Sequence, residues 1–229
     1  LFLHEQNAVI GTSNRLLIKF SKLIFLGFPI NKPIKKNMLL VGNPIQKSNK
    51  NFSSDLNSRP LRIYVTGGSQ GSEYINQNIP KALNALELPI EVRHQSGKGK
   101  SSGIKELYSS KISVEVTEFY DFPQDSILWS DFIISRAGAL SLSEAISLKR
   151  GSVIIPLQSA IDNHQLLNAI NISELGMGVV HEESESIESL STKLKNIIEK
   201  KLYIQWSKKV NNTDHFQAAR RMLSSIIKF

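Results

Sequence analysis

Residues 131–146, DFIISRAGALSLSEAI, leave a chain little choice of fold. An apolar run at 132–134 stops at Ser135, Arg136, Ala137 and Gly138, and apolar residues then recur at Ala139, Leu140, Leu142, Ala145 and Ile146. That order is a buried parallel strand, a tight glycine turn and the first turns of a helix. Ligands of open α/β sheets bind at the carboxyl ends of strands. A helix starting there offers unpaired N–H groups and a positive dipole end to an anion. Glu144, about one and a half turns into the helix, could accept two hydrogen bonds from a sugar diol. The same pattern also serves as a bare strand–helix junction whose glutamate is favoured by the dipole.

The unit recurs. Residues 61–66 form a β-rich run that meets Gly67-Gly68-Ser69-Gln70-Gly71, with a helix expected from there to about Leu86. The glycines let backbone approach a phosphate, or simply make a tight turn, and the loop fits neither GxGxxG nor GxxxxGK[ST]. Strands are expected at 90–94, 112–116, 132–134, 152–155 and 177–180, with helical patterns between most of them. Such alternation gives an α/β fold with a parallel sheet covered by helices. Upstream, strands are expected at 1–3, 23–28 and 38–41, and a helix at 13–20 with Leu16, Leu17 and Phe20 on one side. The basic residues Arg15, Lys19, Lys22, Lys32, Lys35 and Lys36 around that helix suit either a solvated face beside a core or an anionic membrane surface. Helices are expected at 187–201 and from about 214 to 227. After the strand at 152–155, Asp162 or Asn163 can cap a helix whose first turns carry His164, Gln165 and Asn168. Amides there can both donate to and accept from sugar hydroxyls. Phe119 and Tyr120 could flank a planar ring, or belong to the core.

Composition narrows the chemistry. With no cysteine in 229 residues, disulfides and thiolate metal sites are excluded. The histidines at 4, 94, 164, 181 and 215 lack HExxH spacing, and no GxSxG nucleophile elbow is present. No apolar run approaches the roughly 20 residues that span a bilayer. The net charge of +8 favours anionic partners. The lysines are scattered without an aromatic platform, which argues against nucleic acid. Residues 46–60, QKSNKNFSSDLNSRP, read as a linker.

Seven blocks stand in order: HEQNAVIGTSNR at 4–15, VGNP at 41–44, GGSQG at 67–71, HQSGKG at 94–99, TEFYD at 117–121, SRAGALSLSE at 135–144 and DNHQLLNA at 162–169. Together they resemble the MurG family of bacterial glycosyltransferases, and the resemblance runs from Leu1 to the last helix. It implies the GT-B architecture, two Rossmann-like domains facing each other over a cleft. Residues 1–44 would be the end of the N-terminal domain, 45–60 the interdomain linker, 61–210 the complete donor-binding domain and 211–229 a helix crossing back. About the first third of such a chain, with its general-base histidine and most of the acceptor and membrane surface, would lie upstream of Leu1.

The implied activity is inverting, metal-independent transfer of N-acetylglucosamine from UDP-N-acetylglucosamine to lipid I. The product is lipid II, made by a peripheral enzyme at the cytoplasmic face of the bacterial inner membrane, which is an anionic surface. No cofactor is implied. By the same resemblance, Ser69 and the backbone of Ala139, Leu140 and Ser141 meet the diphosphate, with Leu142 and Ser143 continuing that turn. Glu144 takes the ribose hydroxyls, Gln165 the sugar hydroxyls, and Asn7 reaches the donor across the cleft. Tyr120 stands where the family's main chain contacts uracil. Gly68, Gln70 and Asn168 are further candidates. Gln46 departs from the pattern, because the family usually has arginine there and a cation near the donor is lost. The alternatives are a non-catalytic remnant that binds nucleotide-sugar or a partner, and a nucleotide-sugar 2-epimerase, whose cleft carboxylate and histidine pattern is not evident.

Overall fold

The computed structural model describes residues 1–30, 33, 35–47, 59–160, 163–209 and 213–228. The sequence linker at 46–60 therefore lies largely outside the described residues, as does Asp162. Two parallel sheets organise the described residues. The smaller has the order β1 (Phe2–Glu5), β2 (Leu23–Leu26), β3 (Met38–Leu40). The larger runs β6 (Ile112–Thr117), β5 (Ile90–Gln95), β4 (Leu61–Thr66), β7 (Phe132–Ser135), β8 (Gly151–Ile154), β9 (Gly178–Val180).

Six parallel strands point their carboxyl ends at one rim. The register pairs Thr66 with both Gln95 and Ser135, so the ends of β4, β5 and β7 form a level row. Each central strand is buried on both faces, which is why β7 reads as a continuous apolar run. Ile63, Val65, Phe132 and Ile134 pack with Ile75, Ile79 and Leu83 of α2 (Glu73–Asn84) and with Leu190, Leu194 and Ile197 of α6 (Ile187–Glu199). The alternate residues Tyr64 and Ile133 meet Ile127 of α3 (Pro123–Trp129) and Ala145 of α4 (Ala139–Ser147). Ala169 and Ile172 of α5 (His164–Glu174) complete that face together with Ile154. Below the rim, the Arg59 guanidinium donates to both oxygens of Asp131, at 3.0 and 2.7 Å. The same carboxylate accepts the Arg62 N–H at 2.8 Å, which fixes where the chain enters β4.

Several expectations shift. The helix expected to run to Lys201 ends at Glu199, and Lys201 takes a left-handed φ of 49°. A further helix, α7 (Leu202–Lys208), follows and buries Trp206 against Gly151. Asn163 occupies the α5 N-cap position with a left-handed φ of 52° and makes no capping bond. The helix expected over 13–20 is α1 (Thr12–Leu17) continued by a 3₁₀ turn. Leu16 and Phe20 do not face a core, being 72% and 73% exposed, and it is Ile18 that packs against Leu3, Ile24 and Leu26. The last helix, α8 (Ala218–Ile226), starts later than expected and packs Met222 and Ile226 against Leu23 and Phe25 of the small sheet and Val41 just beyond it.

Two predictions follow from the packing. A Cβ at Gly151 would lie 2.0 Å from the Trp206 ring. Gly151→Ala should therefore cost about 1–3 kcal/mol in denaturant unfolding. Burial lowers the pKa of both His94 and His215 to about 4. Between there and the unfolded value of roughly 6.5 the unfolded chain binds more protons. Stability should therefore fall as pH drops through that window. Urea unfolding at intervals from pH 7 to 4 should show this slope, and His215→Gln should make it shallower.

Candidate functional site

The helices α2 and α4 start at the rim of the large sheet after β4 and β7, and of this pair only α2 caps itself. At α2 the Ser72 hydroxyl accepts the Ile75 N–H at 3.3 Å. At α4 the N-cap is Gly138, which has no side chain to offer. The first helical bond of α4 runs from the Leu142 N–H to the Gly138 carbonyl at 3.0 Å, so Ala139, Leu140 and Ser141 precede the ladder. Their N–H groups open at the α4 terminus, where the dipole favours an anion.

Opposite stands the loop 67–71. The Thr66 hydroxyl accepts the Gly68 N–H at 3.0 Å, and the Gly71 N–H closes on the Gly68 carbonyl at 3.1 Å. Glycine is required twice over. Gly68 has φ +84°, and a Cβ on Gly71 would stand 1.9 Å from the Ser96 carbonyl oxygen. Ser69 is thereby lifted, exposed, to the tip of the loop.

Loop and helix terminus divide one trough into two chambers that share Thr66, Gly68, Ser69 and Ser141. The smaller, of about 230 Å³, is mostly apolar, with Tyr64, Phe119, Pro123, Ile127 and Ile133, and Glu144 stands in its wall. Gln95 shapes it. The Gln95 Oε1 accepts the Tyr64 hydroxyl at 3.2 Å and the Tyr120 N–H at 3.3 Å, while its Nε2 donates to the Gly68 carbonyl at 3.1 Å. Gln124 Nε2 donates to Glu144 Oε1 at 2.7 Å and steers that carboxylate. Burial raises the Glu144 pKa, and the Gln124 bond opposes the rise. The larger chamber, of about 620 Å³, is lined mostly by glycines and polar residues, among them Gln70, Arg136, Gln165 and Glu183. Gln165 Oε1 accepts the N–H groups of Ala137 at 3.2 Å and Leu157 at 3.0 Å, which commits its oxygen to holding two rim loops together.

The sequence candidates sort by where they point. Gly68, Ser69, Gln70, Ser141, Glu144 and Gln165 line the trough. Leu140 is 48% exposed on the first turn of α4, and Ala139 is buried, leaving its backbone as its contribution. Leu142 and Ser143 face away. Leu142 is wholly buried, and the Ser143 hydroxyl donates to the Ala139 carbonyl at 2.8 Å while accepting Asn43 Nδ2 at 2.9 Å. Tyr120 stands beside the small chamber with its hydroxyl on Glu115 at 3.0 Å. Gln46 is exposed and outside the trough.

Asn7 and Asn168 form a clamp between the two sheets. Asn168 Oδ1 accepts the Ala8 N–H at 2.8 Å, and its Nδ2 donates to Asn7 Oδ1 at 3.0 Å and to the Ala137 carbonyl at 3.1 Å. Asn7 is held in turn by the buried Glu5, whose Oε1 accepts the Asn7 N–H at 3.1 Å and whose Oε2 accepts Gly11 N–H and Asn14 Nδ2 at 2.8 and 2.9 Å. Asn7 lines a separate recess of about 300 Å³ with His164. Gln95, Gln124, Arg136 and Glu183 enter the site without having been singled out from the sequence, whereas Phe119, read there as a possible flank for a planar ring, lines the small chamber. Gln95 and Arg136 sat inside quoted blocks, but nothing local distinguished their roles.

Residues 62–222 match the glycosyltransferase family 28 C-terminal domain. The chain belongs to this family. Curated relatives of the chain carry the name UDP-N-acetylglucosamine--N-acetylmuramyl-(pentapeptide) pyrophosphoryl-undecaprenol N-acetylglucosamine transferase. One from Tolumonas auensis is 39% identical over 80% of this chain and 53% of its own length. One from Haemophilus influenzae is 32% identical over 100% of this chain and 66% of its own length. The chain thus spans about half to two thirds of the relatives it matches. Acinetobacter baumannii MurG superposes with a TM-score of 0.82 at 27% identity, covering 100% of this chain and 67% of that one. The calicheamicin glycosyltransferase CalG4, at 12% identity, shares the fold with a TM-score of 0.61 over 94% of this chain and 57% of its own. The MurG resemblance and the GT-B fold are thereby shown.

The clamp yields a prediction. Asn168 is fully buried and all its bonds are used. Asn168→Ala strands a buried N–H and two oxygens, each costing about 1–3 kcal/mol. Thermal denaturation should show a loss of several degrees. Asn168→Asp should do no better, because it sets an acceptor against two acceptors.

Proposed function

We propose that this family 28 chain binds UDP-N-acetylglucosamine in the trough and is the donor half of the transferase that makes lipid II from lipid I. One observation carries the reading: an apolar chamber walled by Glu144 joins a larger chamber holding Gln165, across a junction of free N–H groups and a glycine loop. Uracil fits the small chamber beside Phe119, and the ribose hydroxyls meet Glu144. The diphosphate crosses between Ser69 and the α4 terminus, and the sugar enters the larger chamber toward Gln165. Asn7 acts from the N-terminal side by holding Asn168 and the Ala137 turn, which sets the edge of the sugar chamber.

In this reading the charge that grows on the leaving UDP is met by backbone N–H groups and the helix dipole, without a metal. The sugar is transferred with inversion, as expected of a direct displacement by the muramoyl hydroxyl. That hydroxyl needs a general base. The residues assigned to the trough are all engaged with the donor, and none of them takes that role. The chain alone should therefore bind donor with little turnover.

A peripheral site at the cytoplasmic face of the inner membrane completes the proposal. No helix among the described residues is long and apolar enough to cross a bilayer. The exposed Leu16, Leu17 and Phe20 beside Lys19 suit contact with an anionic lipid surface.

Calorimetric titration with UDP-N-acetylglucosamine should give saturable binding that Glu144→Ala weakens at least tenfold, about 1.4 kcal/mol. Comparison of UDP with 2′-deoxy-UDP isolates the ribose contact. The wild type should discriminate between them, and Glu144→Ala should not. A folded chain that binds neither nucleotide rules the donor site out and favours the reading of a non-catalytic remnant.

A further inference from the structure

The larger chamber carries an electrostatic contradiction. It faces the glycine loop and the α4 terminus, both suited to phosphate, yet its lining includes two carboxylates, Glu73 and Glu183, against one cation, Arg136. That cation is already occupied. The Arg136 side chain is 13% exposed, and its Nη1 donates to the carbonyls of Ile155 at 3.2 Å and Pro156 at 3.5 Å. Its Nη2 is paired with Glu183 Oε1.

The two nearby glutamates are held very differently. Glu185 takes Lys193 Nζ at 2.6 and 2.7 Å, the Ser189 hydroxyl at 2.8 Å and the Glu182 N–H at 2.9 Å. Glu183 lies between β9 and α6 with a side chain 21% exposed, and Arg136 is its ion-pair partner. Releasing Glu183 breaks one pair, whereas releasing Glu185 would break those four contacts and part it from His181 Nδ1, 3.7 Å away. The carbonyls keep Arg136 aimed into the chamber whether or not Glu183 is present.

We propose that Glu183 is a displaceable internal counter-ion, which holds Arg136 while the site is empty and yields it to the diphosphate of an incoming nucleotide. The inference rests on the donor-site reading and adds a residue that sets specificity for charge. A planar guanidinium fork accepts carboxylate or phosphate with similar geometry, so one can replace the other. A diphosphate carries more charge than a carboxylate and brings its nucleoside into the small chamber, so it can win the exchange. A nucleoside alone has nothing to offer Arg136. After transfer, return of Glu183 to the guanidinium would favour loss of UDP, so one carboxylate serves both selection and release.

A double-mutant cycle with two ligands tests this. UDP and uridine are titrated against the wild type, Glu183→Gln, Arg136→Gln and the double variant, with circular dichroism confirming the fold of each. Glu183→Gln should tighten UDP about fivefold, the scale of one partly exposed ion pair. It should leave uridine unchanged. Arg136→Gln should weaken UDP, and in that background the gain from Glu183→Gln should vanish. Unchanged or weaker UDP binding by Glu183→Gln overturns the proposal. So does a gain that persists without Arg136, since that would be simple repulsion at a distance. If no form binds UDP, the donor-site reading itself fails. Equal UDP binding by all four forms would remove only the counter-ion.

Discussion

Everything at this site depends on the parallel register of the large sheet. Because β4, β5 and β7 end level, the turns after them open side by side, and their backbone groups can act on one ligand. A parallel sheet needs a crossover for each strand, and those crossovers bury both faces. The rim is then the one place where backbone N–H groups can stay open while the rest of the domain is packed. The glycines of the first loop and Gly138 keep it so, by leaving out the side chains that would fill the gap or cap the helix.

Much of the polar sequence near the rim serves to hold loops rather than ligands. Glu5 organises the loop after β1 through the N–H groups of Asn7 and Gly11 and the amide of Asn14. Asn43 bridges to the Gln6 carbonyl and the Ser143 hydroxyl, and its own N–H donates to His215 Nδ1 at 2.8 Å. His94 is enclosed between the Tyr108 hydroxyl and Asn76 Oδ1, at 2.8 and 3.0 Å. Buried polar groups must be paired, and pairing them across the two sheets fixes the sheets' relative position. Chemistry-bearing residue types in a sequence block can therefore belong to its scaffold, as His94 and Asn168 do here.

The charge of the chain is not distributed toward its pocket. A net charge of +8 suggests a cationic anion site, yet the larger chamber is lined by more carboxylates than cations. If the chamber takes a phosphate, as proposed, the attraction comes from oriented N–H groups and from Arg136 once Glu183 releases it. On the proposed reading, such a site discriminates by geometry and exchange more than by long-range field, and a nucleotide would leave it as readily as it enters.

By itself the sequence determined the α/β class, the glycine loop, the strand–turn–helix at 131–146 and the place of Glu144 in it. Those features are local: periodicity, turn chemistry and one helical turn of spacing are enough to define them. Tertiary structure alone decided that Ser143 turns to Asn43 rather than to the trough, that Gln95 and Gln124 shape the small chamber, and that Arg136 meets Glu183. Each of these joins residues far apart in the chain, and no local pattern encodes which buried amide or charge will find which partner. The seating of α8 on the small sheet has the same origin. An amphipathic helix shows that it has a face to bury, and only the folded chain supplies the surface that covers it.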